Sequence, residues 1–231
     1  MVTPPIVFAG LVGAIVWNLI TWLLGMPSSS SHALIGGVVG ATLVAAGTGA
    51  VKFDGIIAKV LVPAVLSPIL AALVAALATW MAFRITRRSN AERSQASFKR
   101  GQIASASLVS LAHGTNDAQK TMGVITLALI GGGMLPAGST PPLWVILAAG
   151  LSISLGTYLG GWRIIRTLGR RLIDISPTQG FVAETAAASV ILVSSHFGFP
   201  LSTTHVCSGG ILGSGIGRKG AEVRWALPAG W

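Results

Sequence analysis

Four long, predominantly apolar runs, at residues 6–24, 59–83, 143–161 and 178–197, constrain this chain more than any other feature. A hydrocarbon core about 30 Å thick is crossed by roughly 20 apolar residues in a helix, and lipid offers no water to an unpaired backbone group. Composition agrees with membrane helices: of 231 residues, 52% are hydrophobic, 10% are charged and 30 are Gly, and the mean hydropathy is +0.75. Soluble domains carry about 25% charged residues. The first run lacks a basic n-region and is too long for the h-region of a signal peptide, so it is retained as a span. The fold class is therefore an all-α polytopic membrane protein.

A net charge of +10 raises the question of nucleic acid, but the charges sit in the wrong places for it. Arg84, Arg87, Arg88, Arg93, Lys99 and Arg100 fill one connector, residues 84–101, and Arg163, Arg166, Arg170 and Arg171 fill a second, residues 162–174. Neither has the interleaved aromatics that stack bases. Short basic loops between apolar spans are the positive-inside signature, which places both connectors in the cytoplasm of a multi-pass cell-membrane protein. The single cysteine, Cys207, permits no intramolecular disulfide and reads as a small packing residue.

Between the spans lie segments of another kind. Residues 28–46 and 201–216 each begin with hydroxyl residues and continue into glycines. Offset by 173, they overlay: Pro27 on Pro200, Ser29 on Ser202, His32 on His205, and Gly36, Gly37 and Gly40 on Gly209, Gly210 and Gly213. With both basic connectors on one side, the two copies run in opposite directions, either as crossings or as hairpins. An inverted repeat with short, Gly/Pro-interrupted segments at corresponding positions points to a transporter binding site. Residues 102–132, interrupted by the polar stretch His113 to Lys120, read as a broken or re-entrant helix, and Pro63 and Pro68 as kinks in 59–83. Three parts follow: 1–83 as the remainder of a first repeat, the connector 84–101, and 102–231 as a second repeat.

A proline followed by hydroxyl residues makes a helix start with capping oxygens and free backbone N–H groups. Those groups and the positive end of the helix dipole favour an anion, so two such starts facing one cavity suit a tetrahedral oxyanion. The competing reading is that Ser and Thr cap membrane helices and let glycines pack closely. Asn116, Asp117 and Glu184 are costly inside a membrane, where a carboxylate faces a cavity, a partner or an ion. Asp117 offers hard oxygen ligands for Na⁺ or a carboxylate able to carry H⁺, or it pairs structurally with Lys120 one turn away. Glu184 either takes part in transport or holds helices together. His32 and His205 either donate to an anion or pack while bonding a neighbouring carbonyl, and His113 and His196 receive no role. Nothing supports a Ser/His/Asp hydrolase, so no enzyme activity and no cofactor are expected.

The run His113-Gly-Thr-Asn-Asp-Ala-Gln-Lys-Thr-Met-Gly123 and the paired Pro-x-Ser-Ser/Thr-Ser/Thr-His runs resemble the inorganic phosphate transporter (PiT) family, in particular its bacterial low-affinity permeases. The resemblance implies a symporter of phosphate with Na⁺ or H⁺, built from two inverted repeats. It implies phosphate contacts at Ser29, Ser30, Ser31, Asn116, Ser202, Thr203 and Thr204. It implies a coupling cation at Asn116, Asp117 and Glu184, with no metal beyond Na⁺ at Asp117. The family carries two Asn-Asp motifs and this sequence one, so the chain reads as truncated at both ends, the partner motif being expected upstream of residue 1. The partners expected are phosphate, membrane lipid, and either a second copy or the remainder of the transporter. The alternatives are a carrier of another oxyanion such as sulfate, and a non-transporting remnant or subunit of such a carrier.

Overall fold

The computed structural model describes residues 3–168, 174–199 and 201–218. Arg170, Arg171 and Pro200, named above, lie outside them. The described residues form eight α-helices: α1 Pro4–Leu23, α2 Ser30–Ala46, α3 Phe53–Ile56, α4 Val62–Thr86, α5 Ala91–Gly131, α6 Leu143–Arg166, α7 Pro177–His196 and α8 Thr203–Ile216. A π-helical turn, Ile57–Leu61, joins α3 to α4, so that Phe53–Thr86 is one helical run of 34 residues. The wide turn contains Lys59, whose carbonyl would otherwise meet the ring of Pro63 four residues on. Pro68 lies inside α4 without ending it.

Three helical runs, α1, Phe53–Thr86 and α6, are long and apolar enough to cross a membrane. In contrast, α2 has 17 residues and α8 has 14, about 26 and 21 Å, which is short of a full crossing. Each of the two folds back on the helix before it. The chain reverses between α1 and α2 at Gly25, whose φ of 65° is the left-handed value glycine accepts readily, and between α7 and α8 at Gly198, with φ of 73°. Residues 28–46 and 201–216, left open between crossings and hairpins, are each a single helix that forms the second arm of a hairpin with the helix before it.

Residues 102–132 are not broken. The helix α5 runs without interruption for 41 residues, about 60 Å, straight through His113 to Lys120. A single glycine, Gly114, costs a helix only about 1 kcal/mol. The polar side chains that suggested a break find partners on other helices instead, and Thr115 bonds back to the Leu111 carbonyl at 2.9 Å. Most of the connector 84–101 is helical as well. Only residues 87–90 separate α4 from α5, and Asn90 caps the new helix by accepting from the amides of Glu92 and Arg93.

Side-chain registers fix how the helices run. Gly101 faces the Phe181 ring, Ser105 meets Glu184 and Asn116 meets Ser195, so α5 and α7 are parallel. Gly209 faces Pro68, Gly213 faces Ala72 and Gly217 faces Ala76, so α8 and α4 are parallel too. Over its last turn α1 advances in the same sense as α6, with Trp22 on the Gly160 carbonyl, Arg163 on the Leu23 carbonyl and Thr167 on that of Gly25. Because α6 returns from α5, it opposes α7, and the α1–α2 hairpin enters from the side opposite to the α7–α8 hairpin.

The bundle packs small residues inside and large ones outside. Its core joins Ala71, Ala112, Ala187, Ala188, Val190, Ile191, Leu201 and Val206, with Cys207 packed against it, while Phe8, Trp17, Leu73, Leu77 and Leu155 face outward. That inversion is expected where the surroundings are as apolar as leucine and helices associate through close backbone approach. A Cβ on Gly213 would collide with the Ala72 carbonyl oxygen, whereas one on Gly40 would meet open space. Gly213→Val is accordingly expected to destabilise the protein by about 1–3 kcal/mol, the usual effect of overpacking, and Gly40→Ala to have little effect. Thermal unfolding in detergent checks both.

Candidate functional site

The two hairpins touch at their tips, and the repeat seen in the sequence is kept in the capping. Ser29 caps α2 by accepting from the His32 amide at 3.2 Å, and Ser202 caps α8 by accepting from the His205 amide at 3.3 Å. One capping oxygen satisfies one amide per helix. The amides of Ser30 and Ser31 on one tip, and of Thr203 and Thr204 on the other, are left without an acceptor among the described residues. Thr204 ties the tips together by donating to the Ser28 carbonyl at 3.1 Å, and Thr21 and Ser28 share a hydroxyl contact of 2.7 Å behind it. His32 and His205 stack with ring centroids 5.1 Å apart. His32 also meets the capping hydroxyl of Ser29 at 2.8 Å, so its partner is a side chain and not the neighbouring carbonyl the sequence suggested.

The middle of α5 passes the tips. Asn116 and Asp117 are both buried there. Asn116 donates to the Leu201 carbonyl at 3.2 Å and to Asp117 Oδ1 at 3.1 Å, and Ser195 donates to Asn116 Oδ1 at 3.5 Å. Asp117 Oδ2 receives Thr203 Oγ1 at 3.4 Å and lies 3.4 Å from His113 Nδ1, which in turn meets Thr203 at 3.1 Å. Lys120 donates to Leu201 O at 2.5 Å, Ser31 Oγ at 2.6 Å and Asp117 Oδ1 at 3.1 Å. A cavity of about 870 Å³ opens beside this cluster, lined by Ser30, Ser31, His113, Asp117, Lys120 and the Ser152 to Leu168 face of α6. A second, of about 590 Å³, reaches Ser28, Ser29, His32 and His205.

Seven of the nine sequence-predicted site residues, Ser29, Ser30, Ser31, Asn116, Asp117, Ser202 and Thr203, gather within this junction, and Thr204 bridges it. Glu184 does not join them. It stands 11 residues before Ser195 in α7, roughly 16 Å along the axis, where Ser105 donates to it at 2.5 Å and Gln102 at 3.5 Å. The sequence assigned no role to His113 and saw Lys120 only as a partner of Asp117. Their other contacts come from residues 81 to 90 positions away, which spacing within one helix does not reveal. His196 packs edge-on against Phe197. Arg163, read only as a basic connector residue, donates to the Leu23 carbonyl at the end of α1, where a cation suits the helix dipole.

Opposed hairpins that meet at capped helix starts, inside a bundle with an apolar exterior, define the class: a multi-pass α-helical membrane protein with an inverted pair of helical hairpins. The model of the phosphate transporter family matches residues 1–229, and the chain belongs to that family. It is 60% identical over 228 residues to a protein of Mycobacterium tuberculosis described as a probable low-affinity inorganic phosphate transporter, covering 98% of this chain and 55% of that protein. Proteins of the same description from Rhizobium meliloti and Bacillus subtilis are 43% and 42% identical, covering 98% and 95% of this chain and 68% and 66% of their own lengths. The chain thus spans about half the length of the mycobacterial relatives it matches. Among solved structures, the sodium-dependent phosphate transporter shares the fold, with a TM-score of 0.78, 24% identity, and coverage of 94% of this chain and 72% of its own. The family and the matched relatives are described as transporters, not enzymes.

If the capping serines act as described, Ser29→Ala and Ser202→Ala each cost about 1 kcal/mol of stability, while Ser30→Ala, on an exposed position of the tip, costs little. Parallel thermal melts of the three variants distinguish capping hydroxyls from those that merely line the cavity.

Proposed function

We propose that this chain forms the core of a phosphate symporter of the cell membrane, in which two opposed helix starts bind the anion and an H⁺ or Na⁺ gradient drives it. The observation that carries the reading is the set of amides at Ser30, Ser31, Thr203 and Thr204 that have no acceptor among the described residues, presented by two helix dipoles that converge on one junction. Helix-start amides that face a cavity are open to an acceptor, and an oxyanion with several oxygens satisfies them together. Hydroxyls of Ser30 and Ser31 add donors beside the amides, those of Thr203 and Thr204 can turn to the anion from Asp117 and the Ser28 carbonyl, Ser29 and Ser202 hold the helix starts in place, and Asn116 is close by. Asn116 and Asp117 supply the coupling-cation position, and Glu184 takes part through the α5–α7 interface. The names of the matched relatives support phosphate as the anion.

In this mechanism the hairpin tips form the gate between the two sides. An anion bound between the tips is exposed to one side at a time as the opposed repeats rock, the route that inverted-repeat carriers use. The protein needs no cofactor for this. Lipid surrounds the apolar exterior, and a second copy or the remainder of a longer carrier completes the assembly.

Uptake of radiolabelled phosphate into proteoliposomes tests the reading. Asp117→Ala, and Ser202→Ala combined with Thr203→Ala, should each lower uptake about tenfold or more, the scale of losing a hydrogen bond to a charged group. Unchanged uptake in both would sink the site assignment. Excess unlabelled sulfate should compete poorly, and full competition would make the protein a carrier of oxyanions in general.

A further inference from the structure

Lys120 has more contacts than an ion pair within one helix requires. We propose that its ammonium is a tethered cation standing where a dissociable Na⁺ would otherwise lie, so that anion binding at the hairpin tips needs no Na⁺. The inference rests on the phosphate reading for the identity of the anion, though not for the place of the cation.

An ammonium carries three N–H donors and accepts nothing. Here those donors are spent on three acceptors from three separate parts of the fold: Ser31 Oγ on α2, Asp117 Oδ1 on α5, and the carbonyl of Leu201 in the unwound tip before α8. All three are oxygen ligands of the kind a hard cation takes, and unwound main-chain carbonyls are what broken-helix transporters offer to Na⁺. The two shortest contacts go to the hairpin tips, at 2.5 and 2.6 Å, and the longest, at 3.1 Å, to Asp117. A lysine kept only to neutralise Asp117 would need neither contact with the tips.

Asp117 has little left to offer Na⁺, though a carboxylate can still carry H⁺ as the coupling ion. Its Oδ1 takes Asn116 and Lys120, and its Oδ2 takes Thr203 and faces His113. A Na⁺ at these oxygens would displace the ammonium from them while remaining within a few ångströms of it, with both charges in a site of low dielectric. The lysine side chain is 14% exposed and lines the cavity beside Ser30 and Ser31, so its charge faces the position an anion would take. A tethered charge strengthens anion binding as a bound Na⁺ would, but it never crosses the membrane. A Na⁺ gradient therefore has no hold on this position.

The test compares NaCl with choline chloride for wild type, Lys120→Asn and Lys120→Arg, reading labelled phosphate uptake in proteoliposomes and the melting temperature in detergent. Wild type and Lys120→Arg should show the same uptake and the same melting temperature in either salt. Lys120→Asn removes the charge and frees three oxygens, and should gain stimulation of uptake by Na⁺ of about tenfold, within the usual range of site-to-site coupling, together with a Na⁺-specific rise in melting temperature. Na⁺-dependent uptake or a Na⁺-specific stabilisation of wild type overturns the proposal and leaves the phosphate reading standing. So does a Lys120→Asn protein that folds and ignores Na⁺. A wild type that takes up no phosphate in either salt defeats the phosphate reading instead, and the melting temperatures then decide the cation question alone. If Lys120→Asn does not fold, the response of wild type to the two salts decides it.

Discussion

Everything in this fold turns on how backbone amides are treated where a helix starts inside a membrane protein. A helix leaves its first N–H groups unpaired, and away from water each is costly. At the two hairpin tips the chain pairs one such amide with its own serine, and two beside it have no acceptor among the described residues. The rest of the molecule holds those open groups together. The long helix α5 carries Asn116, Asp117 and Lys120 past the tips, α6 closes one wall of the cavity, and the glycines of α8 fasten the second hairpin to α4.

The order of local and distant interactions explains which parts of this arrangement could be read in advance. Spans show through apolar length alone, and α1 and α6 lie within a few residues of where the sequence places them. The paired helix starts were legible because the chain states them twice, so that Ser29 and Ser202 identify each other even though neither stretch is distinctive alone. The unbroken course of α5 was not. Seven polar or glycine residues in an apolar run look like a break when each is taken to face lipid, and only the positions of Ser31, Leu201 and Thr203 show that they do not. For the same reason the basic connector concealed the start of a helix: Arg93, Lys99 and Arg100 read as a loop, but the Asn90 cap begins α5 before them.

Charge inside the bundle follows a similar logic of partners. Glu184 is held by Ser105 and Gln102, Gln179 reaches from α7 to the Ser214 carbonyl at 3.1 Å, and Asp117 collects donors on both oxygens. Few polar groups in such a protein stand alone, because the alternative is an unsatisfied group in hydrocarbon. Among buried side-chain nitrogens and oxygens of the described residues, the hydroxyls of Ser67 and Thr79, both on α4, are the exceptions.

The contact between α8 and α4 carries a consequence for how such proteins diverge. Gly209, Gly213 and Gly217 meet main-chain atoms of Pro68, Ala72 and Ala76, not their side chains. A large side chain packed against another can be accommodated when its neighbour shrinks, and the two positions then drift as a pair. Main chain has nothing to trim. A bulkier residue at Gly213 has no compensating replacement at Ala72, so the three glycines are bound to the path of the α4 backbone and not to its sequence. Their partners on α4 can change side chains while the glycines stay fixed, and covariation between these helices would miss one of their tightest contacts.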